Sequence, residues 1–295
     1  MGKFLNKMIQ KEKAELDQWE AQRNASLSLP EGVTEVLNIP YTEDKMPRHR
    51  MDLYRPEENE AILPVIVDVH GGGLLMGNKE MNRHFCAQLS AMGFLVFSVE
   101  YQLVPDVMVY KQFADVSAAM DAIEGMLDDW KGDRNHIYMV GDSAGAYLIL
   151  YAIAMQNCSD LAKAAGVKPS TLPVRALGLV SGMYYTRRVD KIGLFLPNSL
   201  YGKDYKRHAF FPFTSPEHPD MLKKLPPCYL MTSRNDMLHR YTVDFTRALE
   251  RNGVTYVLKD YPEDKELVHA FSVLHSETEK GMKANREMVE FLRKY

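Results

Sequence analysis

The sequence predicts an α/β protein with a mostly parallel central sheet and helices on both faces. Short runs rich in β-branched residues alternate with longer helical patterns along most of the chain, which is typical of such sheets. One run, at residues 137–141, leads into Gly141-Asp142-Ser143-Ala144-Gly145, and a helix-forming run follows. With 295 residues, 46% of them hydrophobic, the chain can bury one large core.

The composition excludes several other classes of protein. The net charge is -3 and no long basic run is present, so nucleic acid is not an expected partner. Cys86, Cys158 and Cys228 are far apart and show neither a disulfide framework nor a zinc spacing. We therefore expect no metal and no cofactor. The first residues lack the apolar core of a signal peptide and no later run could span a bilayer, so we expect a cytoplasmic protein. Whether it forms a homodimer stays open.

The N-terminal part predicts one helix and two strands. Residues 1–25 place Leu5, Met8, Ile9, Leu16 and Trp19 on one face, which predicts an amphipathic helix. We expect this helix to pack on the body of the protein; the alternative is a flap over an active site. Residues 33–39 and 50–54 read as strands, and the second alternates as a half-buried antiparallel strand does.

The remaining elements follow the alternation of strand and helix. Strands are predicted at residues 65–69, 94–99, 137–141, 176–181, 228–232 and 255–258. Helices are predicted at residues 81–92, 112–130, about 241–252 and about 277–292. Residues 182–227 are dense in aromatic residues without a clear period, and we expect them to form an insertion over the core.

The Gly-x-Ser-x-Gly segment is the first candidate for chemistry. A serine on a sharp strand-to-helix turn is held clear of the sheet, and the N-terminus of the next helix favours negative charge beside it. The two glycines leave room for the strained turn. The alternative is an ordinary glycine-rich loop. A serine hydroxyl is a weak nucleophile and needs an adjacent base that a carboxylate orients.

His269 is the best candidate base among nine histidines, because it lies in the loop after the last predicted strand. Asp236 is the best candidate acid, since it follows the strand at residues 228–232. Asp260, Asp264 and Glu266 compete with it because they share the predicted loop of His269. His239 is close enough in sequence to Asp236 to be held locally.

A glycine run offers N–H groups for an oxyanion. His70-Gly71-Gly72-Gly73 follows the predicted strand at residues 65–69 and can approach a ligand without a side-chain clash. Ala144, directly after the candidate nucleophile, offers another N–H. We expect His70 to brace this loop rather than to react.

Taken together, these motifs resemble the hormone-sensitive-lipase-like family of α/β-hydrolase carboxylesterases. The resemblance runs from about residue 50 to the C-terminus and rests on His70-Gly71-Gly72-Gly73, Tyr101-Gln102-Leu103-Val104-Pro105-Asp106, Gly141-Asp142-Ser143-Ala144-Gly145, Asp236-Met237-Leu238 and His269-Ala270-Phe271. Ala146, Gln102, Val104 and Asp106 depart from the family pattern, and Asp236 lacks the proline that commonly follows it.

The resemblance implies an α/β-hydrolase fold with a small helical cap. Its domains would be an N-terminal cap segment at residues 1–45 and a core at residues 46–295, with a cap insertion at about 183–222. It implies Ser143 as nucleophile, His269 as base and Asp236 as its orienter. The implied oxyanion-hole donors are Gly72, Gly73 and Ala144.

The expected function is a serine carboxylesterase that hydrolyses short- to medium-chain acyl esters through an acyl-enzyme. A small-molecule ester is then the expected substrate. Two alternatives remain open at this point. One is an amidase or peptidase on the same fold, and the other is a catalytically silent ligand-binding α/β-hydrolase.

Overall fold

The computed structural model describes residues 3–57 and 61–295. Its strands are β1 (Val33–Pro40), β2 (Arg50–Pro56), β3 (Leu63–Val69), β4 (Leu95–Val99), β5 (Gly132–Asp142), β6 (Ala176–Val180), β7 (Cys228–Ser233) and β8 (Tyr256–Tyr261). Its helices are α1 (Lys3–Ser26), α2 (Arg83–Ala91), α3 (Val109–Met126), α4 (Ala144–Asn157), α5 (Ser159–Ala165), α6 (Lys191–Phe195), α7 (Pro197–Tyr201), α8 (Pro219–Leu222), α9 (His239–Arg251), α10 (Phe271–Leu274) and α11 (Glu279–Leu292).

The strands form one sheet in the order β1-β2-β4-β3-β5-β6-β7-β8. β1 and β2 are antiparallel at one edge, and the strands from β4 to β8 run parallel. The carboxyl ends of the parallel strands therefore meet along one edge of the sheet, where ligands bind in open α/β folds. The predicted fold class is confirmed.

The central strands are apolar because helices cover both of their faces. β3 is the clearest case, since Val65, Ile66 and Val67 are completely buried. Along β3, Val65 and Val67 belong to one core cluster and Ile66 to the other. α4 packs against the central strands β3, β5 and β6 with nearly every residue buried, which explains why its sequence is apolar all round.

The structure refines two predicted elements. The helix expected at residues 81–92 is a 3₁₀ turn at Lys79–Asn82 followed by α2. β8 extends to Tyr261 and is only half buried, because it is the edge strand of the sheet. Its polar residues Lys259 and Asp260 hid the strand pattern in the sequence.

The aromatic insertion consists of short helices and 3₁₀ turns, which are too short to show a helical period. Phe210 packs against Phe113 of α3 at a ring distance of 5.9 Å and against Tyr151 of α4 at 5.8 Å. The hydroxyl groups of Tyr201 and Tyr147, the latter in α4, share a hydrogen bond of 2.7 Å. The insertion therefore packs on the core, as predicted from its aromatic content.

α1 is fixed to the body of the protein near its C-terminal end. The buried Arg23 guanidinium donates to the carbonyl oxygen of Leu274 over 2.9 Å and to that of Met81. The same guanidinium lies 4.7 Å from the ring centroid of Trp19. Leu5 and Met8, predicted on the apolar face, lie outside the part of the chain whose side chains are described. In the described residues, no helix is long and apolar enough to cross a membrane.

A matched pair of glycine substitutions tests the packing of α4. A Cβ at Gly145 would lie 1.8 Å from the carbonyl oxygen of Val69, whereas a Cβ at Gly125 in α3 meets no atom within 4 Å. We expect Gly145→Ala to lower the free energy of unfolding by about 3 kcal/mol or more. Gly125→Ala should raise it by about 0.5 kcal/mol through helix propensity. Urea unfolding measures both, and equal effects of the two substitutions would contradict the packing described.

Candidate active site

Ser143 occupies a strained turn between β5 and α4. Its backbone has φ 49° and ψ -111°, a conformation that residues other than glycine rarely adopt. A Cβ at Gly141 would lie 2.8 Å from the backbone of Gly145, so the turn closes only with glycine there. The Ser143 side chain stays accessible at the sheet edge, with 7% of the residue exposed. The geometry is that of a nucleophile elbow.

His269 is paired with Asp236, as the sequence predicts. The Nδ1–H of His269 donates to Oδ1 of Asp236 over 2.6 Å. The Asp236 carboxylate also accepts the N–H of Leu238 over 2.8 Å and the hydroxyl of Thr232 over 3.0 Å. Burial alone would raise the pKa of Asp236, but these charge-stabilising contacts, His269 foremost, hold the pKa below its usual value. The acid therefore stays ionised beside the imidazole.

The competing acids have other partners. Asp260 receives a hydrogen bond of 3.0 Å from His239 and an ion pair of 3.1 Å from Arg234. Asp264 and Glu266 both pair with Lys280. The competing acids are therefore bound to other side chains. The ring of His239 is bound to Asp260, while its backbone N–H donates to the carbonyl oxygen of Asp236 over 3.0 Å.

Ser143 and His269 line the same cavity. Within residues 3–57 and 61–295, the Ser143 hydroxyl makes no hydrogen bond to His269. Such contacts are commonly long before a substrate is bound and shorten in the reacting complex. Both side chains nevertheless reach one cavity from different strand ends, β5 for the serine and the loop after β8 for the histidine.

The glycine run forms a loop beside the elbow. Gly72 has φ 101° and Gly73 has φ 63°, and a Cβ on Gly72 would lie 2.0 Å from the carbonyl oxygen of Met76. The turn is closed by the N–H of Met76, which donates to the carbonyl oxygen of Gly72 over 3.0 Å. In the described part of the chain, the N–H groups of Gly72 and Gly73 donate to no acceptor. Ala144 is the first residue of α4, so its N–H has no partner within the helix.

His70 braces this loop from below, as expected. Its ring stacks on Tyr101 with centroids 4.3 Å apart and an interplanar angle of 12°. Its Nδ1–H donates to the carbonyl oxygen of Gly71 over 2.8 Å, and the Tyr101 hydroxyl donates to the carbonyl oxygen of His70 over 2.9 Å. Complete burial lowers the pKa of His70 to about 3, so the ring is neutral at physiological pH.

A buried polar cluster fastens the glycine loop to the elbow. Oδ1 of Asp142 accepts the N–H of Gly71 and the side-chain amide of Asn82, each over 3.0 Å. The same Asn82 amide donates to both carboxylate oxygens of Asp68 over 3.1 Å. Burial, with the neighbouring Asp142 charge, raises the pKa of Asp68 to about 7. Asn82 and Asp68 are not among the residues predicted from the sequence, although Asp68 within the apolar run of β3 is a recognisable signal.

Gln102 stands where the resemblance leads one to expect arginine, and the structure shows what surrounds it. Its backbone N–H donates to Oδ2 of the buried Asp115 over 3.0 Å. Lys111 and His49 contact the other oxygen of Asp115 at 3.2 and 3.1 Å. Positive charge beside this carboxylate is thus supplied by Lys111, which lies outside the Tyr101–Asp106 motif.

The cavity above the elbow has a volume of about 540 Å³. Beyond the site residues, its walls are Glu12 and apolar side chains from five parts of the chain: Ile9 and Leu16 of α1; Leu75, Met76 and Met81 after the glycine run; Met183, Ile192 and Leu196 of the insertion; Met237 and Leu238 before α9; and Leu274 of α10. α1 and the insertion both reach this cavity. α1 therefore packs on the body of the protein and also contributes to the wall of the candidate site. The two positions expected for this helix, on the body or over an active site, do not exclude each other.

Comparison with known families agrees with this geometry. Residues 66–273 match the model of the alpha/beta hydrolase fold family. The chain belongs to this family, in its hormone-sensitive-lipase-like branch, and the predicted family is confirmed.

The curated relatives that the chain matches are named as esterases. The chain is 30% identical to an isoprenylcysteine alpha-carbonyl methylesterase of Arabidopsis thaliana over 138 residues, which are 47% of this chain and 32% of that protein. It is 27% identical to a carboxylesterase of Mycobacterium tuberculosis over 229 residues, which are 74% of this chain and 70% of that protein. The chain spans about a third to a half of the length of the plant methylesterases that it matches.

Solved structures extend the similarity to nearly the whole chain. Esterase B of Lactobacillus Rhamnosis (HN001) superposes with a TM-score of 0.90 at 25% identity, over 97% of this chain and 93% of that one. Its structure inhibited by a tributyrin phosphonate superposes with a TM-score of 0.92 at the same identity, over 99% and 96%. The likeness to this esterase therefore covers nearly the full length of both chains.

The buried His70 predicts a specific pH dependence of stability. Its pKa is lower in the folded protein than the ordinary value of about 6.5, so the unfolded chain binds a proton that the native state excludes. Stability from this residue is present above pH 6.5 and is lost as the pH falls toward 3, at about 1.4 kcal/mol per unit.

We expect this loss to disappear in His70→Phe, which keeps a ring against Tyr101 but cannot titrate. Between pH 7 and pH 5, the wild-type free energy of unfolding should fall by about 2 kcal/mol more than that of the variant. Urea titrations at both pH values measure the difference. Asp68 and Glu100, whose pKa values are raised to about 7, titrate in both proteins and cancel in the comparison. Equal falls would contradict a neutral, buried His70.

Proposed function

We propose that this protein is a serine carboxylesterase that hydrolyses short- to medium-chain acyl esters through an acyl-enzyme. One observation carries the proposal. The His269–Asp236 pair opens onto the same apolar cavity as Ser143 on its strained turn and the glycine run. The esterase relatives support the reaction class.

The residues have distinct roles in this proposal. His269 accepts the proton of Ser143 as the hydroxyl oxygen attacks the ester carbonyl, and Asp236 stabilises the imidazolium that forms. The N–H groups of Gly72, Gly73 and Ala144 stabilise the negative charge on the carbonyl oxygen. His269 then donates this proton to the alkoxide oxygen of the ester, and the alcohol leaves as its bond to the carbonyl carbon breaks. A water molecule, activated by His269, then releases the acid from Ser143.

The cavity is suited to bind an uncharged, apolar acyl group. Its volume of about 540 Å³ falls within the range of small-molecule sites. Methionine side chains at four of its lining positions are flexible and adapt to alkyl chains of different shape: Met76, Met81, Met183 and Met237. Glu12 and Asp142 are the acidic residues of its lining, and no lysine or arginine lines it among the described residues, so a free carboxylate on the substrate would find no cationic side chain of these types there.

The cysteines support the proposed compartment. Cys86, Cys158 and Cys228 are all free and buried. This state fits a reducing environment, and we retain the cytoplasm as the proposed location.

Removal of the nucleophile is the first test. We expect Ser143→Ala to lower kcat for p-nitrophenyl butyrate by at least about 10³-fold, because the variant retains only the oxyanion donors and binding. Initial rates with purified protein measure this, and Ser159→Ala at the start of α5 is the matched control. Parent-like hydrolysis by Ser143→Ala would overturn the assignment.

The acyl chain is the second test. Each methylene buried in the cavity contributes about 0.8 kcal/mol, so kcat/KM should rise roughly fourfold per methylene from acetate upward until the cavity is filled. A p-nitrophenyl ester series measures the rise, and a hemisuccinate ester should react more slowly than the butyrate. A flat series, or a preference for the hemisuccinate, would contradict an apolar acyl site. Matched anilides run in parallel separate an esterase from an amidase.

A further inference from the structure

The end of β6 and the turn that follows it bind both backbone groups of the candidate nucleophile. The N–H of Ser143 donates to the carbonyl oxygen of Val180 over 2.8 Å. The carbonyl oxygen of Ser143 accepts the N–H of Met183 over 2.9 Å. None of the predicted site residues lies in this segment. Its hydrogen bonds nevertheless hold the strained elbow in place from β6, the strand beside β5.

Ser181, at the start of this turn, reaches the other two members of the site. Its Oγ accepts the N–H of Ala270, the residue after His269, over 3.1 Å. With that lone pair occupied, its O–H is free to donate. The same hydroxyl contributes to holding the pKa of the Asp236 carboxyl below its usual value. One buried hydroxyl thus connects the loop of the base with the acid that orients it.

The backbone of Ser181 indicates that its side chain is required there. Ser181 has φ 51°, a region in which glycine is unstrained and serine is not. Its N–H donates to the carbonyl oxygen of Met231 over 2.8 Å, which fixes this conformation. Ala270 has φ 52°, so both ends of the Ala270–Ser181 hydrogen bond lie in strained backbone. Such strain is common at functional sites, where the surrounding contacts determine it.

We propose that Ser181 is a positioning residue for the reaction. It makes no contact with the reacting atoms and acts through Asp236 and Ala270 to fix the orientation of the His269 ring. The inference rests on the proposed esterase function. It adds a fourth residue, from a different strand end, to the machinery that the three site residues form.

Loss of the hydroxyl has two consequences that can be measured. The base loop loses its anchor, so kcat should fall by about 10- to 100-fold while KM changes by less than about twofold. Asp236 loses a group that holds its pKa low, so its carboxylate interacts more strongly with His269 and the imidazolium becomes more stable. The acid limb of the pH–rate profile should therefore move to higher pH. A general loss of folded enzyme would lower the whole profile without moving it.

The experiment compares Ser181→Ala and Ser181→Gly with the wild type on p-nitrophenyl butyrate, with kcat expressed per phosphonate-titrated active site. Ser181→Gly adopts φ 51° without strain, so it tests the hydroxyl even where the alanine variant folds poorly. Ser90→Ala is the matched control, because Ser90 in α2 is completely buried and its hydroxyl has no partner among the described residues.

The result that supports the inference is a reduced kcat and a raised acid limb in Ser181→Gly, with Ser90→Ala unchanged in both. A kcat within about twofold of the wild type and an unmoved acid limb in Ser181→Gly would overturn it. A wild type without esterase activity would instead refute the proposed function on which the inference rests, so the two failures are distinguishable.

Discussion

The strained backbone of Ser143 is the constraint on which the rest of this structure depends. A serine at φ 49° between β5 and α4 requires α4 to begin directly beneath it. That start is possible only because Gly145 lies against the carbonyl of Val69 without a side chain. The close packing fixes β3 beside β5, and β3 in turn delivers the glycine run to the cavity. The position of the candidate oxyanion donors therefore follows from the shape of the elbow.

Buried polar groups maintain this arrangement around the elbow. Asp142 ties the glycine run to β5 through the N–H of Gly71 and the amide of Asn82. Ser181 ties the loop of His269 to the end of β6. Each contact joins segments that are far apart in the chain and that end at the same sheet edge. The apolar core sets where the strands run, and these hydrogen bonds set the orientation of the loops that leave them.

The sequence was sufficient for the fold class and for the candidate residues, because both follow from local patterns. Alternating strands and helices placed the strand ends, and strand ends placed His269 and Asp236. The contributions of Asn82 and Ser181 depend on contacts between distant segments, and nothing in the residues beside them indicates those contacts. The short helices of the insertion were likewise invisible, since four or five residues cannot display a helical period. The division into an N-terminal cap segment at residues 1–45 and a core stays a proposal, although β1 from that segment is part of the sheet.

The assignment of Ser143 as a nucleophile activated by His269 is tested most directly by the reaction of the protein with a p-nitrophenyl alkylphosphonate, followed by mass spectrometry of the proteolysed chain. We expect one phosphonyl group per chain, on the peptide that contains Ser143, and a much slower reaction in His269→Ala. A folded protein that is not labelled, or a label on another residue, would contradict it.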